Sequence, residues 1–151
     1  MNQEKASLRR ASLAELSDLA PLFDLYRVFY DQESSLASAE RFLRERLEAD
    51  ESVVFICYRQ QVPIGFTQLF PSFSSVSMQR QWILNDLFVV GSARGIGAGE
   101  LLLKAAEDFA HEDGAKGLIL ETHDSNRVAQ RLYERLGWKR DESTFHYSRM
   151  F

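Results

Sequence analysis

Cysteine is nearly absent from this chain: Cys57 stands alone in an apolar run, so no internal disulfide can form and no oxidising compartment is implied. A reduced, cytoplasmic protein is the expectation. No apolar stretch approaches the roughly 20 residues that a membrane span needs, and the opening residues MNQEKASLRR lack the apolar core of a signal peptide. Repeats, low-complexity tracts and Pro/Gly/Ser linkers are missing, and Pro21, Pro63 and Pro71 are dispersed, so one domain over residues 1–151 is expected. Excess positive charge is lacking too. The net charge of −4 gives no overall drive toward nucleic acid or an anionic membrane, and neither is expected as a partner. The three histidines, His111, His123 and His146, are widely spaced and form no ligand set with Cys57, so no metal is expected.

What is present is periodic hydrophobicity. Ser7 to Arg10 reads as a short strand, and Ser12 with Glu15 has capping-box spacing before Leu16, Leu19, Leu22, Phe23 and Tyr26, which recur at helical intervals. Pro21 either kinks or splits that helix. A second helix follows Ser38, with Phe42, Leu43 and Leu47 on one face and charges of alternating sign on the other. Val53–Tyr58 and Ile64–Phe70 read as an antiparallel hairpin, and the loop Pro71–Gln79 leads to a strand from Trp82. A helix beginning near Glu100 ends at Asp113 and Gly114; Leu118–Thr122 is a buried strand. Ser125 or Asn126 caps a last helix that Gly137 ends, and Ser143–Phe151 alternates enough for a final strand. The expected fold is α/β, a mixed central sheet with helices on both faces in the order βααβββαβαβ.

The stretch from Trp82 to Leu103, WILNDLFVVGSARGIGAGELLL, runs from a strand through Gly91, Gly95, Gly97 and Gly99 into a helix. Such a turn gathers backbone N–H groups at the positive end of a helix dipole and suits an anion, above all a phosphate. A dinucleotide fingerprint fits poorly, because its third glycine position is Glu100 and little chain follows Glu121. A P-loop lacks its Gly-Lys-Ser/Thr. A turn with no ligand remains open, although four glycines exceed what one turn requires.

The residues Arg94, Gly97 and Gly99, within RGIGAG, resemble the acyl-CoA signature of the GCN5-related N-acetyltransferases. Asn126, Ala129, Leu132, Tyr133, Leu136, Gly137 and Trp138 resemble that family's second signature. The blocks YRVFY, PSFSS and WILNDLFV are similar to a subgroup related to yeast histone and D-amino-acid acetyltransferases. The resemblance implies acetyl-CoA as cosubstrate and an amine acceptor: a small amine, an amino acid or a lysine side chain. It also implies direct attack in a ternary complex and a homodimer, for which the apolar tail Phe145, Tyr147, Met150, Phe151 offers a pairing segment. A non-catalytic acyl-CoA sensor is the rival reading.

By that resemblance Arg94, Gly95, Ile96, Gly97, Ala98 and Gly99 cradle the pyrophosphate, and Phe88, Val89 and Val90 supply an edge for the pantetheine arm. The Val89 N–H polarises the thioester carbonyl. Asn126 contacts the arm, and Tyr133 is the general acid for the leaving thiolate. Acceptor contacts fall to Tyr30, Glu33 and Asn85. The positions where the family often places a base, four and six residues before Val89, hold Asn85 and Ile83, neither of which is basic. Period-2 alternation turns the neighbouring Asp86 to the opposite sheet face unless a bulge intervenes. Glu33, Glu121 and His123 remain candidates.

Overall fold

The computed structural model describes residues 5–151; the opening stretch MNQEKASLRR therefore begins with four residues outside those described. The described residues form two compact units, one ending at Leu120 and the other spanning Glu121–Phe151.

The first unit contains β1 (Ser7–Arg10), α1 (Leu16–Phe29), α2 (Leu36–Glu48), β2 (Val53–Arg59), β3 (Val62–Ser74), β4 (Gln79–Val89), α3 (Ala98–Glu112) and β5 (Leu118–Ile119). The strands lie in the order β1-β2-β3-β4-β5, antiparallel except for the parallel β4–β5 pair. The capping box forms as its spacing implies: Ser12 accepts from the Ala14 N–H, and Glu15 accepts from the Ser12 N–H at 2.7 Å. Pro21 is absorbed, and α1 runs unbroken through it. The cap of α2 is Ser35 rather than Ser38; its hydroxyl accepts from the Ser38 N–H, so the helix starts earlier than its apolar face suggests. Gln60 and Gln61, both at positive φ, join β2 to β3 as a two-residue turn whose twist suits a hairpin. The segment read as a loop after Pro71 instead extends β3 to Ser74, paired with Gln79 of β4.

Helices cover both faces. On one, Val54 and Ile56 of β2, Phe66 of β3 and Phe88 of β4 pack against Leu19 and Phe23 of α1 and Leu43 of α2. On the other, Cys57, Ile64 and the flanking Leu87 and Val89 meet Ala98 and Leu102 of α3. Leu19, Leu43 and Leu102 are fully buried, each stabilising the fold by about 1.5–3 kcal/mol. Burial also pushes the Cys57 thiol up from its usual range, away from the thiolate a nucleophile needs.

The second unit contains α4 (Arg127–Arg135), capped by Asn126, whose side chain accepts from the Ala129 N–H at 3.2 Å. Two expectations fail nearby. The strand expected over Leu118–Thr122 stops at Ile119, and Ser143–Phe151 forms no strand. In the tail, Asp141 accepts from the Ser143 N–H and the Thr144 hydroxyl, a local turn that competes with extended pairing.

Gly65 marks the tightest approach in the sheet. A Cβ there would stand 2.7 Å from the carbonyl oxygen of Phe88. Gly65→Ala should cost about 1–3 kcal/mol through overpacking, read as a lower midpoint in urea denaturation; an unchanged midpoint would show that β3 and β4 can part without loss.

Candidate functional site

The exit of β4 has one paired edge and one open edge. Its pairing with β5 ends at Ile83, whereas its pairing with β3 continues to Val89. From Leu84 onward the β5 side therefore has no strand partner among the described residues. The Val90 N–H donates to the Ile64 carbonyl of β3 at 2.9 Å. Backbone alternation then directs the N–H and C=O of Val89 to the open edge. That orientation has a witness: the Val89 carbonyl accepts from Arg94 Nε at 3.1 Å rather than from β3.

After a 3-10 turn over Gly91–Ala93, the chain passes Gly95 (φ +82) and Gly97 (φ +85) into α3, with Gly97 as N-cap. Both glycines hold left-handed backbone that other residues resist. A Cβ at either would meet nothing within 4 Å, so their outer side is open. The N–H groups of Gly95 through Gly99 have no backbone acceptor among the described residues. Free donors at the start of a 15-residue helix, with space in front of them, fit an anionic group such as a pyrophosphate. The Arg94 side chain is occupied locally, bonded to Val89 and standing 5.4 Å over the Phe29 ring.

A second feature lies on the α1/α2 face of the sheet. Gln68 pairs with Asp86, but its successor Leu69 pairs with Leu84, so Asn85 is an extra residue in β4. Asp86 lies opposite Val89, on the face of Phe88, as alternation expects, but the bulge breaks the alternation before it. Leu84 shares the face of its partner Leu69, whereas Asp86 shares that of Gln68 and Phe66, and Asn85 and Asp86 both line one cleft. The cleft has a volume of about 440 Å³; Tyr26 and Arg27 of α1, Arg41, Phe42 and Glu45 of α2, and Phe70 of β3 also line it.

At its floor Asp86 is 4% exposed and Gln68 fully buried. Three donors converge on the carboxylate: Gln68 Nε2 at 2.7 Å, Asn85 Nδ2 at 3.1 Å and the Tyr26 hydroxyl. Burial nonetheless outweighs them and raises the Asp86 carboxyl above its ordinary range. Gln68 Oε1 is buried without a partner, so nothing on its far side anchors the amide that holds Asp86.

The remaining expected residues fall in several places. Asn85 lines the cleft, while Tyr30 and Glu33 do not; Tyr30 stands edge-on to Tyr26 at 5.0 Å, and the Glu33 backbone oxygen accepts from Arg27. In the second unit Asn126 and Tyr133 share α4, and the Tyr133 ring lies 6.0 Å from Trp138. Glu121 is exposed, 3.8 Å from His146. Asp86 and Gln68 are the residues that sequence reasoning did not assign. A signal was available, since two consecutive polar residues, Asn85 and Asp86, interrupt an otherwise apolar strand, as a bulge permits.

Known proteins resemble this chain in sequence and in fold. A sequence profile of the acetyltransferase (GNAT) family matches residues 19–138. In Bacillus subtilis (strain 168), the uncharacterized N-acetyltransferase YhfO is 52% identical over 141 residues, spanning 93% of this chain and 95% of its own. The crystal structure of a probable acetyltransferase matches with a TM-score of 0.90 at 38% identity, covering 96% of this chain and 97% of that one. An aminoglycoside N-acetyltransferase solved in complex with CoA shares the fold at 20% identity, with a TM-score of 0.80 over 96% of this chain and 95% of that one.

The raised carboxyl has a consequence for stability. Folded Asp86 holds its proton more tightly than unfolded Asp86, so its contribution worsens as pH rises above the unfolded value near 3.8. In urea denaturation, the stability of the wild type relative to Asp86→Asn should therefore fall between pH 4 and pH 7. A difference that is constant or grows would contradict the assignment.

Proposed function

The chain belongs to the acetyltransferase (GNAT) family and is an acyltransferase enzyme, and from that premise we propose that it moves the acetyl group of acetyl-CoA directly to a primary amine in a ternary complex. The observation that carries this reading is the pair of features on β4: an open backbone edge at Val89 and, three residues earlier, a buried carboxylate facing a cleft. One suits the donor and the other the acceptor.

On the donor side, the N–H groups of Gly95, Ile96, Gly97, Ala98 and Gly99, with the backbone of Arg94, hold the pyrophosphate of CoA. The CoA complex of the aminoglycoside N-acetyltransferase of like fold supports this ligand. Phe88, Val89 and Val90 pair with the pantetheine arm as an added strand. The Val89 N–H donates to the thioester oxygen as negative charge develops there, and so stabilises the transition state more than the ground state. Asn126 adds a contact to the arm, and Tyr133 gives its phenolic proton to the departing thiolate.

On the acceptor side, Asp86 is the general base. An amine attacks only as the free base, and a carboxyl with a raised pKa is a better proton acceptor than an ordinary exposed one. Gln68, Asn85 and Tyr26 keep it aimed. Tyr30 and Glu33, next to Tyr26 and Arg27 of the lining, add acceptor contacts. The YRVFY block, which supplies Tyr26 and Tyr30, supports small amines, amino acids and lysine side chains as acceptors through its subgroup resemblance.

The family profile runs from residue 19 to 138, across both compact units, which supports one catalytic domain over residues 1–151. A homodimer is supported by the exposed apolar tail, Phe145, Tyr147, Met150 and Phe151. A cytoplasmic setting is supported by the lone, buried Cys57; among the described residues no helix is long and apolar enough to cross a membrane.

The test is thiol release from acetyl-CoA with a panel of amines. Asp86→Asn should lower kcat by about 10²- to 10⁴-fold at neutral pH. Tyr133→Phe should cut turnover while leaving acetyl-CoA affinity nearly intact. Tight acetyl-CoA binding without thiol release for any amine would refute transferase activity, and unaltered kcat in either variant would remove that residue's role.

A further inference from the structure

We propose that the acceptor carries a carboxylate as well as its amine, in the manner of an amino acid, and that Arg41 binds this carboxylate across the cleft from Asp86. The proposal rests on the cleft being the acceptor site.

The argument comes from how α2 spends its charges. Arg44 is paired with Glu40 at 3.0 Å and with Glu48 at 4.0 Å. Arg46 is paired with Glu51 at 2.6 Å and with Glu45 at 3.4 Å. Arg41, on the same helix, has neither an ion pair nor a hydrogen bond among the described residues. It is also the one of the three that lines the cleft. Glu45 lines the cleft as well, but its charge is met by Arg46.

Arg27 of α1 adds a second positive group to the lining. It bonds a backbone oxygen, that of Glu33, at 3.2 Å and not a carboxylate. Asp24, an acid whose carboxylate feels the Arg27 charge, already accepts from the Ser34 hydroxyl at 2.6 Å and the Ser35 N–H at 2.8 Å.

The cleft therefore has a buried carboxylate at its floor and, among its other walls, one uncommitted guanidinium, that of Arg41, with the Arg27 charge beside it. A simple cationic amine would satisfy the floor and leave Arg41 without a counter-charge. A polycation would meet repulsion. A molecule with an amine at one end and a carboxylate at the other complements both, because a guanidinium offers a planar fork of donors that matches a carboxylate. Phe42 and Phe70 give an apolar body somewhere to lie, and a volume of about 440 Å³ suits a small molecule.

The experiment compares matched acceptors: phenylalanine and leucine in both enantiomers, their carboxamides, and the corresponding decarboxylated amines. Rates are expressed per concentration of neutral amine, so that differences in amine basicity cancel. In the wild type the amino acids should have the lowest KM. Arg41→Ala should raise that KM about 10- to 100-fold, the loss of a charge-assisted contact, while changing KM for the decarboxylated amines less than about twofold. Arg41→Lys should fall between, and Arg41→Glu should invert the preference.

A wild type that takes amine and amino acid alike, or an Arg41→Ala variant that weakens both equally, would overturn the proposal. Failure of the base assignment reads differently: Asp86→Asn would then keep wild-type turnover while the Arg41 split in KM persisted. Should no acceptor in the panel be acetylated, calorimetry of N-acetylphenylalanine against N-acetylphenethylamine, with CoA present, reads the same preference. Equal binding of the two, or binding of neither, counts against Arg41.

Discussion

A carboxylate placed inside a sheet is costly, and the α1/α2 side of β4 is arranged around keeping one there. Asp86 tolerates burial because donors reach it from its own strand, from the neighbouring strand and from α1. Alternation from Phe88 sets Asp86 on the α1/α2 face, next to Gln68. The extra residue that β4 carries before it, Asn85, reaches the same cleft and adds its amide to the donors. The enclosed Gln68 oxygen belongs to the same arrangement, since the amide that steadies Asp86 is itself tied down on one side only.

The same strand serves a second purpose by different means. Beyond Ile83, β4 leaves β5 and keeps β3, so its far edge is backbone without a ladder. Such an edge is normally a liability, an invitation to pairing with another chain. Here the chain folds back over its start, with Arg94 bonded to the Val89 carbonyl, and continues into glycines whose left-handed backbone leaves the first N–H groups of α3 unspent. Gly65 completes the device from the β3 side, because only a residue without a Cβ lets the Phe88 carbonyl come so near. Strand edge and helix start thus present open backbone on either side of the turn, a fitting surface for an elongated anion with an amide-bearing arm.

Charge economy separates the cleft-lining face of α2 from the rest of its surface. Most of its surface charges are matched within the helix or just beyond it, which contributes little stability but leaves no net attraction for a passing ligand. The exception lies in the cleft. Cys57, by contrast, is conspicuous in composition and inert in the structure, buried on the α3 face among apolar side chains.

Local chemistry determined the parts that depend only on neighbours in sequence: the Ser12–Glu15 capping box, the β2–β3 hairpin, the glycine turn opening α3 and the Asn126 cap of α4 all form where residue type and spacing put them. The two sheet faces were legible too, since helical and strand periodicity state which side of each element is apolar. Failures came where a distant partner decides. Ser35 rather than Ser38 caps α2, a choice made with the help of Asp24, which accepts from the Ser35 N–H across a separation of eleven residues. The alternating tail forms no strand, because alternation is only a permission to pair and a strand exists only where another strand meets it. The neighbourhood of Asp86 was the most consequential case. Alternation counted back from Val89 gives Asp86 the opposite face, as found, but only the register against β3 reveals the extra residue, Asn85, that joins it at the cleft.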